Sequence, residues 1–147
     1  MAVFTYPDTA YKPPTIAVNL NSSLERKRLS GPGLKAFFNI VQRSHVRNED
    51  ARQLLGGVSN GPYYAMKKNP DRRVLDMDTL QRISFMIGIF KALHILHSES
   101  LADEWLCLPN NNPIFAGKTP VEYMVRGGLP AMQTVRRLLD ARRGGGR

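Results

Sequence analysis

The stretch from Thr79 to His97, TLQRISFMIGIFKALHILH, most narrows the folds open to this chain. Leu80, Ile83, Ile87, Phe90 and His94 recur on one face of a helix, while Phe85, Ile89, Leu93 and Leu96 occupy another. A helix apolar on more than one side must be enclosed, either by other helices of its own domain or by a second subunit. Part of this surface is assigned here to a second copy, making the expected unit a homodimer. Asp78 and Gln81 have the spacing of a capping-box-like start. His94 and His97 lie three apart with no carboxylate or cysteine at ligand spacing, so they read as packing histidines and no metal is assigned.

The neighbouring segments supply the enclosing helices. Residues 1–30, with Pro7, Pro13 and Pro14 and no helical period, read as an irregular arm, although TIAVNL has the composition of a short strand. Ser30, Gly31 and Pro32 then punctuate the chain ahead of LKAFFNIVQRS, where Leu34, Phe37, Phe38 and Val41 recur at helical spacing. Asn48 is placed to cap a second helix that stops at Gly56 and Gly57. Ser59 or Asn60 is placed to cap a third, which carries Tyr63, Tyr64, Met66, Lys67 and Lys68 until Pro70. In LADEWLCL, Leu101 and Trp105 are the expected buried residues, with Asp103 and Glu104 in solvent.

The chain ends in two further helices. Thr119 and Glu122 form a capping box with Pro120 at the first helical position, and Gly127 and Gly128 permit the left-handed backbone that closes the helix. Pro130 opens a second helix running to about Arg143, with Ala131, Val135, Leu138 and Leu139 on one stripe and Arg136, Arg137, Arg142 and Arg143 on the rest. The expected fold is therefore all-α. Its regions are the arm at 1–30, a helix-turn-helix and dimerisation region at 31–98, and a small helical domain at 99–147 with a mobile basic tip.

Length and composition exclude much else. At 147 residues the chain has enough apolar surface to fold as one domain without a staple. Cys107 is the single cysteine, which rules out an internal disulfide and fits a reducing cytoplasm. No apolar run has the length of a membrane span, Met1 opens no leader-like segment, and a soluble cytoplasmic protein is expected. Nucleophile elbows, phosphate loops, dinucleotide fingerprints and paired histidine-glutamate motifs are missing from the sequence, so neither catalysis nor a cofactor is assigned.

Charge points to a partner. Lys and Arg number 21 against 12 Asp and Glu, a net charge of +9, which makes nucleic acid the first candidate. The run KKNPDRR from Lys67 to Arg73 follows the tyrosine pair directly. Two short helices joined by a tight glycine turn, the second ending in lysines, form a helix-turn-helix pattern. The turn sets the second helix across the first, so its outer face can enter the major groove. Tyr63 and Met66 are expected in the core. Ser59, Asn60, Tyr64, Lys67 and Lys68 are expected to face DNA, with Arg72 and Arg73 placed for the phosphate backbone.

From Leu80 onward the chain carries RIS, IGIFKALH, Trp105, Asn112-Pro113, Phe115, Gly117, TPVEYM and Gly127-Gly128, and by these marks it resembles the Xre/MbcA/ParS antitoxins; the upstream LLGGVSNGPYYAMKK is similar to the Xre-type helix-turn-helix of longer members. Met66 stands where many members carry tryptophan, and the first arm has no matched role. The resemblance implies a type II toxin–antitoxin system whose partner is a RES-domain toxin that consumes NAD or transfers ADP-ribose. It implies that the C-terminal segment covers the toxin's NAD pocket while the helix-turn-helix binds operator DNA and represses the operon. The toxin-facing residues assigned on this basis are Phe115, Lys118, Glu122, Arg126, Arg136, Arg137, Arg142, Arg143 and Arg147.

Two other readings are open to such a chain. A regulator closing over a small effector needs a pocket of a few hundred cubic ångströms, for which residues 101–147 are short. A reader of single-stranded RNA needs several exposed aromatic platforms, and only the tyrosine pair qualifies.

Overall fold

A computed structural model of the protein describes residues 18–145. Among the described residues six α-helices follow one another: α1 (Ser23–Arg43), α2 (Asn48–Leu54), α3 (Asn60–Lys68), α4 (Met77–Leu96), α5 (Glu99–Glu104) and α6 (Pro120–Gly145). Single 3-10 turns occupy Pro70–Arg72, Trp105–Cys107 and Pro113–Phe115, and no strand occurs among the described residues. The all-α expectation holds.

The first helix begins earlier than its sequence suggests. Ser22 caps it, its hydroxyl accepting from the Glu25 N–H at 3.3 Å, and the helix runs through Pro32 without ending. The irregular arm expected up to residue 30 is thus corrected for Ser23 to Ser30. Proline weighs against helix locally, but here the turn around it is fastened to the rest of the fold. Buried Ser30 accepts a hydrogen bond from the Leu75 N–H at 2.8 Å, and Gly31 leaves room for Asp71, whose carboxylate pairs with Lys35 at 3.1 Å. Residues 1–17, which hold the three remaining prolines of the arm, lie outside the described residues.

α4 is the central post, packed between α1 and α6. It buries Leu80, Ile83, Met86, Ile89, Ala92 and Leu93, each such side chain contributing on the order of 1.5–3 kcal/mol on leaving water, alanine less. By length and composition alone α4 could cross a membrane, but apart from exposed Ile95 its large apolar residues from Leu80 onward lie in the protein's core or pack against it. Its start differs from expectation: Asp76 is the cap, accepting from the Thr79 N–H at 2.8 Å, and Asp78 instead pairs with Arg82 at 2.8 Å. One continuous cluster of buried side chains extends from Leu34 to Leu139, so the core runs across residue 98 without a break.

α6 comprises two helical segments. They meet at Gly128, whose φ of 68° and ψ of −149° suit glycine alone among ordinary residues. Ala131, Val135 and Leu139 turn inward as their spacing predicts, joined by Met132, with Leu138 half-buried.

Candidate functional site

Two surfaces carry the residues singled out in the sequence. The first is built by α2 and α3, joined through Gly56 and Gly57 at φ 108° and 88°. Tyr63 is fully buried, edge-on to Phe38 and Tyr64 at 5.4 and 5.1 Å between ring centroids, and its hydroxyl donates to Asn48 Oδ1 at 2.8 Å. Burial pushes the Tyr63 phenol up from its ordinary pKa. Met66 is buried beside it. With those two side chains inward, Asn60, Tyr64, Lys67 and Lys68 stand in solvent, Tyr64 at 48% exposure. Ser59, Arg72 and Arg73 are exposed as well.

The caps of these helices correct the sequence reading. Asn48 is the first residue of α2 rather than its cap, because its side-chain oxygen serves Tyr63. Ser59 precedes α3, but neither it nor Asn60 makes a side-chain capping bond. Sequence reasoning also missed how far this surface extends. Arg47, Asn48, Glu49 and Arg52 join Asn60 and Tyr64 around a polar hollow of about 440 Å³. Arg52 donates to the Val58 carbonyl at 3.3 Å, and Arg47 pairs with Asp50 at 3.2 Å. The available signal was two arginines five residues apart, Arg47 at the cap of α2 and Arg52 in its last turn.

The second surface follows α5. Trp105, Phe115 and Tyr123 form an edge-to-face stack with centroids 5.9 and 5.3 Å apart. Phe115 is 1% exposed, so its assignment to a partner-facing surface is corrected: it supports the loop from beneath. The capping box forms as expected, with the Thr119 N–H donating to Glu122 Oε1 and the Glu122 N–H to Thr119 Oγ1, both at 3.1 Å. The Thr119 N–H, with further help from the Thr119 hydroxyl, holds the exposed Glu122 carboxyl below the usual carboxylate range.

The basic residues of this region divide by environment. Lys118, Arg126, Arg137 and Arg142 are exposed. Arg136 is half-buried, laid across α4 where Gly88 has no side chain, and paired with Asp140 at 2.9 Å, so it is spent within the fold rather than offered to a partner. Arg143 lies 3.9 Å from the same aspartate. Arg147 lies outside the described residues.

Between the two surfaces sits a polar joint. His94 Nε2 is 2.9 Å from Asp103 Oδ1, and Arg43 reaches Asp103 at 3.4 Å and Glu99 at 3.1 Å. A carboxylate therefore does meet His94, and Asp103 is half-buried rather than solvated, while Leu101, expected inside, is 39% exposed. Among the described residues no three His, Cys, Asp or Glu side chains gather as metal ligands. Cys107 directs its thiol to the Ser44 carbonyl at 3.3 Å, and burial of the sulfur, followed by the nearby Asp50 charge, raises the thiol pKa.

Comparison with known proteins adds two findings. Residues 91–145 match the model of the antitoxin Xre/MbcA/ParS C-terminal toxin-binding domain. The chain is also 36% identical over 113 residues to the uncharacterized protein y4oB of Sinorhizobium fredii, covering 76% of this chain and 84% of that protein. No solved structure matches.

Proposed function

We propose, from the match of residues 91–145 to the toxin-binding domain of Xre/MbcA/ParS antitoxins, that the chain restrains a RES-domain toxin through its C-terminal region and represses its own operon through α2 and α3. The observation that carries this reading is the division of α6 into a buried apolar stripe and an outer face where Arg126, Arg137 and Arg142 stand free of the core. A pocket that binds NAD accepts a dinucleotide with two phosphates. A rigid basic helix can close it by pairing with acidic groups at its rim, with less loss of ordering entropy than a wholly unstructured tail would suffer.

The operator arm of the reading is supported by α3. Asn can pair with an adenine edge, Lys with guanine or phosphate, and these are the groups that α3 turns outward. Exposed Arg72 and Arg73 follow at the helix exit, positioned for the backbone.

Two measurements test the two arms. NAD loss catalysed by the RES-domain toxin should stop on adding the native chain, and an Arg126→Ala, Arg137→Ala, Arg142→Ala variant should inhibit at least about tenfold less well. Unabated NAD loss with excess native chain rejects the toxin arm. On duplex promoter DNA, a homodimer that neutralises about six to eight phosphates gives a slope of roughly −5 to −7 for log affinity against log salt. A slope near zero rejects the operator arm.

A further inference from the structure

The outer face of α6 offers a protein partner charge but no apolar anchor. Val121, Met124, Ala131, Met132, Val135 and Leu139 all turn inward. Stable interfaces have a desolvated apolar centre with charges around the rim, and the charged rim governs approach more than residence. Within the matched residues 91–145, the large apolar side chains left in solvent are Ile95, Leu101, Leu108 and Ile114. The first two belong to α4 and α5. Leu108 and Ile114, 41% and 37% exposed, stand on the loop that leads straight into α6.

That loop is built to hold its shape. The Asn112 N–H donates to Asn110 Oδ1 at 2.8 Å, and the Ile114 N–H donates to Asn112 Oδ1 at 3.1 Å. Its two ends are tied where the Asn110 N–H meets the Lys118 carbonyl at 3.4 Å, and the Lys118 N–H closes a local turn on the Phe115 carbonyl at 2.9 Å. Beneath it lies the Trp105, Phe115 and Tyr123 stack. Ala116 adopts a left-handed φ of 50°, a conformation that a non-glycine residue keeps only where its surroundings impose it. A loop so constrained presents its side chains without further ordering.

We propose that the loop from Leu108 to Lys118 is the apolar anchor of the toxin interface. Leu108 and Ile114 enter a shallow apolar pocket on the toxin, and carboxylates at the rim of that pocket pair with Lys118 and Arg126. This rests on the antitoxin reading above. It assigns residence time to the loop and attraction to the cations of α6.

Dissociation of the full-length chain from its RES-domain toxin tests the assignment. The Leu108→Ser, Ile114→Ser double variant is expected to leave at least about tenfold faster than the native chain, with the same far-ultraviolet dichroism. Ile95→Ser, Leu101→Ser is expected to stay within about twofold of native. Should the double variant melt early, the single variants Leu108→Ser and Ile114→Ser are read in its place, each expected to dissociate several-fold faster. Native dissociation rates in folded Leu108 and Ile114 variants overturn the inference alone. Failure of the native chain to bind the toxin overturns the antitoxin reading, and this inference with it.

Discussion

The imidazole Nε2 of His94 lies 2.9 Å from the Asp103 carboxylate, while its Nδ1 faces the Phe90 carbonyl oxygen at the same distance. Both neighbours are acceptors, so a ring carrying one proton serves only one of them at a time. Arg43 completes the joint, its guanidinium 5.2 Å from the centroid of the Phe90 ring and bonded to both Glu99 and Asp103. α1, the end of α4 and α5 are thereby held together through groups that are each only partly exposed to screening solvent, apart from Glu99.

Arg43→Ala and Asp103→Asn should each cost about 1–2 kcal/mol, measured as a lower urea midpoint at unchanged slope. Because they share one contact, the double variant should lose less than the sum. Strictly additive losses would show that Arg43 and Asp103 act independently.

The tyrosine pair of α3 separates stability from recognition. Tyr63→Phe removes the bond to Asn48 and should cost about 1 kcal/mol of stability with little change in the salt slope of DNA binding. Lys67→Ala and Lys68→Ala should leave the melting temperature nearly unchanged and each reduce the magnitude of the slope by about one. A Lys67 variant with a native slope would remove that residue from the DNA contact.

Local grammar made much of this fold readable. The Thr119 and Glu122 reciprocal cap, the glycine break at Gly128 and the inward turn of Tyr63 and Met66 all rest on spacing within a few residues, which single-chain patterns encode well. What escaped depends on partners distant in sequence. Pro32 reads as a stop until Leu75 and Asp71 are brought against Ser30 and Gly31 by the α3–α4 connection. Phe115 reads as a surface aromatic until Trp105 and Tyr123 close on it from both sides. Arg136 reads as one more free cation, and only the absence of a side chain at Gly88 on another helix reveals where it lies. The candidate site was legible in its charge and not in its support.

Asp76 gives the acid dependence a definite sign. The side-chain and backbone groups of Thr79, in that order, hold the Asp76 carboxyl below its ordinary range. A depressed folded pKa contributes stability that is present above the unfolded value and lost as pH falls through the folded one. Asp76→Ala should therefore cost about 1 kcal/mol at neutral pH, the usual value of a cap. The gap between variant and native chain should begin to narrow as pH falls below the ordinary aspartate value of about 3.9 and close once the folded carboxyl is protonated, followed by urea unfolding down the acid range. A gap that persists unchanged into acid would mean that the carboxylate's charge is not what stabilises α4.

Two glycines in helices should respond in opposite directions to the same substitution. Gly61 in α3 has nothing within 4 Å of where a side chain would project, and its backbone needs no left-handed angle. Gly61→Ala restricts the unfolded chain without strain and should stabilise the protein by about 0.4–1 kcal/mol. Gly128 sits at a φ of 68° and ψ of −149°, a region closed to alanine at a cost of about 1–3 kcal/mol. For a chain of this size each kcal/mol shifts the melting temperature by roughly 2–4 °C. Gly128→Ala should melt several degrees lower, and because the break sets the direction of the basic second segment, it should also weaken inhibition of the toxin. Equal melting temperatures for Gly128→Ala and the native chain would show that α6 can straighten without loss, and that the break does not hold the second segment in place.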